Sequence, residues 1–161
     1  MVYPLDENNL TLFYNSVRQS HEGQTMLELS TEATRLAGIL VLAAVTVESG
    51  GLLLVRIAAG GIPKTEFQKS FARAGHGHAG MFITLGLVTV LLTDATSLDG
   101  FAAWLARSGV PLAAILMPAG FFAASAGPGR TSPNRAIVVL WLGAASLTAG
   151  LVTLGIGLLS A

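Results

Sequence analysis

The chain has no cysteine among its 161 residues. This absence excludes disulfide bridges, thiolate metal sites, iron–sulfur clusters, c-type haem attachment and cysteine nucleophiles. Charge is also scarce, because Asp, Glu, Lys and Arg make up 11% of the residues, against roughly 25% in soluble domains. Nine basic residues balance nine acidic ones, which leaves no basic surface for nucleic acid. Together with 52% hydrophobic residues, this composition argues against a water-soluble globule and against a nucleic-acid partner.

Four long apolar runs dominate what the sequence does contain, at 36–55, 74–93, 110–126 and 136–159. A helix of about 20 residues crosses a bilayer core of about 30 Å, and the run 110–126 lies at the short end of the spanning range. The runs predict an all-α, four-helix transmembrane bundle over residues 34–161. No P-loop, dinucleotide fingerprint, nucleophile elbow or HExxH motif is present, so we expect no enzymatic activity.

A polar and amphipathic tail, residues 1–33, precedes the predicted bundle. Helical spacing of Leu10, Phe13, Tyr14 and Val17 is typical of a helix that lies on the membrane surface. The alternative is a dispensable tail ahead of a biological start at Met26. Both interpretations stay open.

Basic residues are concentrated in the loops that follow the first and third spans. The positive-inside rule places such loops in the cytoplasm, so we expect both termini outside a bacterial-type cytoplasmic membrane. The basic residues that favour this orientation are Arg56, Lys64, Lys69, Arg73, Arg130 and Arg135.

Turn and cap residues predict where the helices begin. Thr65 is expected to cap a helix that runs directly into the second span. Ser132 as cap and Pro133 as first helical residue are expected to start the fourth. We expect Ser108, Gly109 and Pro111 to break an amphipathic segment, 98–105, from the third span.

Glu48 is the most informative residue, because it lies in the interior of the first span. A charged side chain at such a depth costs on the order of 2.5 to 3.5 kcal/mol, so a carboxyl there must be protonated, paired or hydrated. One interpretation is a proton or cation site. The other is a protonated carboxyl that hydrogen-bonds a neighbouring helix.

His76 and His78 form a second candidate site near the start of the second span. Two residues apart on a helix, they point about 200° from each other and cannot face one metal unless the helix unwinds. His78 and Glu48 lie at estimated depths of roughly 7 and 13 Å, so we expect them to form a buried polar pair. Candidate metal ligands are His76, His78 and Glu48; the alternative is a packing motif without metal.

Pro118 lies in the middle of the third span. Proline removes one helical hydrogen bond, so we expect a kink that frees the carbonyl of Ala114 for Glu48 or water. A kink used only for packing is the alternative. Small residues at four-residue spacing, such as Gly120 with Ala124 and Ser146 with Gly150, indicate close helix approach.

The run FQKSFARAGHGHAGMFITLGL at 67–87, with LMPAGFF and SPNR, resembles small four-span integral membrane proteins of high-G+C bacteria. That resemblance covers residues 30–161 and implies fold and location only. The histidine motif is also similar to helices of small proteins related to the main subunit of haem–copper oxidases. In that group histidines hold haem or copper. The resemblance implies that a haem held by two histidines would here need a second subunit.

The function expected from these observations is a non-enzymatic accessory or assembly subunit of a membrane complex or homo-oligomer, without a cofactor. One alternative is a small transporter or channel in which Glu48 carries a proton or cation and Pro118 is the hinge. A second alternative is a redox subunit that binds haem, quinone or metal through His76 and His78.

Overall fold

The computed structural model describes residues 7–22 and 29–161, and every secondary-structure element in these residues is a helix. The elements are α1 (Glu7–Glu22), α2 (Thr31–Ala58), α3 (Glu66–Thr93), α4 (Gly100–Ala124) and α5 (Ile137–Leu159). Helices α2 to α5 are long and apolar enough to cross a membrane. The prediction of an all-helical bundle with four spans is confirmed, and the chain is a multi-pass integral membrane protein.

The amphipathic N-terminal segment forms α1. The four apolar residues of its predicted stripe, Leu10, Phe13, Tyr14 and Val17, are all exposed. Met26, the alternative start, lies outside the described residues. Whether α1 lies on a membrane surface or belongs to a dispensable tail stays a prediction.

Helix α3 begins where the sequence predicts, at a capping box. Thr65 Oγ1 accepts a hydrogen bond from the Gln68 amide, and Gln68 Oε1 accepts one from the Thr65 amide, each at 3.2 Å. The buried Gln68 side chain also donates from Nε2 to the carbonyls of Ser125, at 2.9 Å, and Gly127, at 2.7 Å. One side chain therefore caps α3 and holds the loop between α4 and α5 beside it.

Helix α4 corrects one predicted boundary. Pro111 does not separate 98–105 from the third span, because α4 runs without interruption from Gly100 to Ala124 with Pro111 and Pro118 inside it. A neighbouring helix bonds to α4 close to Pro111: Ser146 of α5 donates from Oγ to the Gly109 carbonyl at 2.9 Å. The carbonyl that Pro111 leaves without its helical donor is that of Arg107.

The start of α5 also differs from the prediction. Ser132 and Pro133 precede the helix, whose first residue is Ile137. Asn134 organises this turn instead: its Oδ1 accepts from the Ala136 amide at 2.7 Å, and its Nδ2 donates to the Ala123 carbonyl at 2.8 Å. A side chain that bonds to both flanking segments outweighs the local preference for proline at a first helical position.

Glycines bring α4 and α5 into backbone contact, and this is the most extensive helix pair in the bundle. A Cβ built at Gly120 would lie 2.4 Å from the Leu140 nitrogen, and one at Gly109 would lie 2.6 Å from the Gly150 Cα. On α5, a Cβ at Gly143 would lie 2.8 Å from the Met117 nitrogen. The small residues predicted to allow close approach do so at Gly120 and at Ser146 with Gly150.

The helices pack in sequence order around this contact. Helix α3 packs against α4, and α2 packs mainly against α3. Only 6% of the most apolar stretch of α2 is buried, against 50% for α4. Most of the α2 surface is therefore presented to the surroundings of the chain.

The α4–α5 contact predicts a large difference between two Gly→Ala substitutions on the same helix. Gly143→Ala places a methyl group against the α4 backbone and should lower the free energy of unfolding by about 1–3 kcal/mol. Gly155→Ala is the matched control, because a Cβ there meets no atom within 4 Å. Unfolding by a denaturing detergent in mixed micelles measures both. Equal stability of the two variants would contradict this packing.

Candidate functional site

Glu48 projects from the outer side of α2. Its side chain is exposed, and no hydrogen bond or ion pair joins it to another residue in the part of the chain that the structure describes. The preceding residue, Val47, packs against the core cluster. One step along a helix turns the side chain by about 100°, so Glu48 faces away from α3.

Glu48 belongs to a row of outward-facing residues that we call the Glu48 stripe: Val41, Val45, Glu48, Leu52 and Val55. The steps between them alternate between four and three residues, which is the heptad spacing that keeps side chains on one face of a helix. The four apolar members are between 56% and 68% exposed. The stripe thus has the form of a coiled-coil seam with one carboxyl at its centre.

His76 lies on the α2 side of α3. A Cβ built at Gly50 would lie 3.4 Å from His76 Nδ1, and one at Gly51 would lie 3.5 Å from Cε1, so the ring rests against the α2 backbone. His76 also lines a mostly apolar cavity of about 450 Å³ between α2 and α4, with α3 as its floor. Pro118 lines the same cavity from α4.

His78 points in a different direction, toward α4. Its ring lies 5.0 Å from the Phe121 ring and 5.4 Å from the Phe82 ring, measured between centroids. Its Nδ1 lies 2.8 Å from the Ala74 carbonyl oxygen. Because a carbonyl only accepts, Nδ1 is the donor in this hydrogen bond.

The expected buried pair of Glu48 and His78 is therefore wrong for the single chain. His78 packs between α3 and α4, whereas Glu48 is exposed on the outer side of α2. Helix α3 stays regular through the histidines, which keeps His76 and His78 on different faces as their spacing predicts. In residues 7–22 and 29–161, no group of three or more His, Asp or Glu side chains is arranged to hold a metal.

A three-helix polar cluster, not anticipated from the sequence, lies at the opposite end of the bundle from the basic loops. Asp94 follows α3 and accepts three hydrogen bonds: from the Ser30 amide at 2.7 Å, the Ser30 hydroxyl at 3.0 Å and Arg107 Nη2 at 2.7 Å. The side chains of Asp94 and Arg107 are 8% and 17% exposed. This cluster joins the start of α2, the end of α3 and α4. The signal available in the sequence is the pair of opposite charges, Asp94 and Arg107, at the facing ends of two spans.

The cluster controls the ionisation of Asp94. Burial by itself raises the pKa of this carboxyl, but the hydrogen bonds from Ser30 and Arg107 together outweigh burial and hold the pKa below its ordinary value. The folded state thus favours the carboxylate, so its contribution to stability is present above the ordinary carboxyl pKa. That contribution is lost as the pH falls through the lowered pKa.

The basic residues cluster at the other end of the bundle. Four basic residues lie where α2 ends and α3 begins: Arg56, Lys64, Lys69 and Arg73. The loop with Arg130 and Arg135 is held beside them. Gln68 donates hydrogen bonds to this loop, and Thr65 Oγ1 donates one to the Arg130 carbonyl. Lys69 pairs with Glu66 at 2.9 Å. The two loops that carry the basic residues therefore share one face of the bundle.

Comparisons with protein-family models, with curated proteins and with solved structures gave no match. The candidate site rests on the geometry of this chain's own residues.

Asp94→Asn tests the polar cluster. Loss of the charge leaves Arg107 without its partner and should lower the free energy of unfolding by about 2 kcal/mol at neutral pH. The variant should also lose the acid-range decline in stability that we expect of the native chain. Asp99→Asn is the matched control, because Asp99 is exposed and its side chain makes no cap hydrogen bond. The same pH profile in native and Asp94→Asn chains would contradict the assignment.

Proposed function

We propose that the protein is a non-enzymatic membrane subunit that associates with a second copy of itself through the Glu48 stripe. Its role is that of an accessory or assembly component built on a homo-oligomer. The observation that carries the proposal is the exposed carboxyl of Glu48 in the interior of a membrane-spanning helix.

The energetic argument begins with the lipid. An ionisable side chain within the bilayer core is costly when it faces acyl chains, and such residues face a bundle interior or another protein. No side chain of the described residues satisfies Glu48 within the chain. A protein partner at this face removes the carboxyl from lipid and supplies a hydrogen-bonding group.

The spacing of the stripe favours a second copy as that partner. Heptad spacing is the pattern by which two helices interlock side chains along a left-handed crossing. Two copies with the same orientation in a membrane are related by a two-fold axis along the membrane normal, so their α2 helices run parallel and in register. Glu48 of one copy then lies opposite Glu48 of the other.

Two protonated carboxyl groups suit each other in this position. Each has one O–H donor and a free acceptor oxygen, so a symmetric pair satisfies both groups without a cation. A single polar residue within a heptad seam also sets register and oligomer state in soluble coiled coils. Glu48 accordingly supplies specificity, while Val41, Val45, Leu52 and Val55 supply the packing.

The basic face of the bundle supports a membrane orientation. The loops that carry Arg56, Lys64, Lys69, Arg73, Arg130 and Arg135 lie at one end, and the positive-inside rule supports a cytoplasmic location for that end. The proposal is thus a protein of a bacterial-type cytoplasmic membrane with both termini outside.

Single-cysteine cross-linking tests the interface, and the absence of native cysteine makes each result unambiguous. Cysteine replaces Val41, Val45, Leu52 or Val55 in turn, and a lipid-soluble oxidant is applied to native membranes. We expect dimers joined by a disulfide at these positions. Facing Cα atoms in such a seam approach the separation of roughly 4.4–6.8 Å that a disulfide requires.

Leu42→Cys and Leu53→Cys are the matched controls. Both residues are exposed and lie at nearly the same depth as Val41 and Leu52, but one helical step turns them by about 100°. We expect little cross-linking at these two positions. Equal cross-linking at stripe and control positions, or none at the stripe, would overturn the proposal.

A further inference from the structure

A second cavity, of about 530 Å³, adjoins the apolar cavity between α2 and α4. Leu36 of α2 and Ser108 of α4 contribute to the walls of both cavities. The two cavities therefore adjoin along the side of the bundle, and we call them together the α2–α4 cleft. Its apolar half reaches Gly50 and His76, and its other half lies near the Asp94 cluster.

The two halves of the cleft differ in chemistry. The apolar half is lined by aliphatic side chains such as Ile39, Ala43 and Ile115. The other half is lined by Glu32, Arg35 and Arg107, together with Trp104. Arg35 and Gly50 are fifteen positions apart, which is roughly 22 Å along a helix at 1.5 Å per residue. This length and this division fit a molecule with a long apolar chain and a polar head.

Aromatic side chains mark the depth of the polar half. Trp104 is 52% exposed, and its ring stacks on Phe101 with centroids 5.5 Å apart. Exposed tryptophan is enriched at the level of lipid head groups. The charged residues beside Trp104 therefore lie at the depth of a head group, and the apolar half lies at the depth of acyl chains.

Arg107 has hydrogen-bonding capacity that its own chain does not use. Its Nη2 donates to Asp94, but its Nε is buried and has no partner in the part of the chain that the structure describes. Arg35 is exposed and forms no ion pair within those residues. Arg35 and Arg107 both line this half of the cleft, and guanidinium is the group best suited to a phosphate.

The charges of the polar half select among phospholipids. Asp94 neutralises Arg107, and the two remaining charges are the positive Arg35 and the negative Glu32. A head group with one phosphate and one ammonium complements this pair. A head group with phosphate alone leaves Glu32 without a cation and beside a like charge.

We propose that the α2–α4 cleft binds a phospholipid of the phosphatidylethanolamine class. One acyl chain lies in the apolar half, the phosphate meets Arg35 and Arg107, and the ammonium meets Glu32. The cleft face of α2, which includes Glu32, Ile39, Ala43 and Gly50, is turned by more than a right angle from the Glu48 stripe. Lipid binding thus does not depend on self-association, and the two can fail separately.

Lipid competition by native mass spectrometry tests the proposal. The chain is delipidated in mild detergent and offered phosphatidylethanolamine and phosphatidylglycerol with identical acyl chains. We expect about tenfold preference for phosphatidylethanolamine, because one charge-assisted hydrogen bond at Glu32 distinguishes the two. Glu32→Gln should abolish the preference. Arg35→Gln should weaken binding of both lipids by about tenfold.

Arg56→Gln is the matched control, since Arg56 is an exposed arginine in the last turn of the same helix and lies outside the cleft. It should bind both lipids as the native chain does. Equal or reversed lipid preference in the native chain would overturn the proposal, as would equal effects of Arg35→Gln and Arg56→Gln. A native chain that retains an isoprenoid quinone and not the phospholipid would overturn it as well.

Discussion

Backbone contact between α4 and α5 is the interaction on which the rest of the bundle depends. Inside a bilayer, helices gain little free energy by burying apolar surface against one another, because lipid tails are equally apolar. Close packing and hydrogen bonds must hold them together. Gly120 against Leu140, Gly109 against Gly150, and Ser146 bonded to the Gly109 carbonyl provide both.

This arrangement leaves α2 as the exposed helix of the bundle. Helix α3 occupies one side of α4, and α2 packs mainly on α3, with its start tied to Asp94 through Ser30. Two faces of α2 remain free: the wall of the α2–α4 cleft and the Glu48 stripe. Both proposed interactions, with a lipid and with a second copy, follow from the way α2 is attached to α3 along one side only.

The sequence predicted those features that depend on one helix at a time. The number of spans follows from apolar length, the start of α3 from Thr65, and the divergence of His76 and His78 from 100° per residue. The position of Glu48 within a span also follows from apolar length. Each of these inferences needs only the geometry of a single helix.

Features that depend on neighbouring helices were not predictable in the same way. Ser108, Gly109 and Pro111 predict a break before the third span, but α4 continues through them where it packs closely against α5. The pairing of Glu48 with His78 was inferred from depth, which gives no information about which side of α2 meets α3. The turn before α5 depends on Asn134, whose two hydrogen-bond partners come from separate segments.

The most direct test of the central claim counts the copies of labelled protein in each complex in liposomes. Single-molecule photobleaching gives this count as the protein is diluted into lipid. We predict that the native chain and Glu48→Gln remain dimeric at dilutions where Glu48→Ala is monomeric, because glutamine retains a donor and an acceptor and alanine has neither. A native chain that is monomeric at every dilution, or an alanine variant that dimerises equally well, would contradict the account.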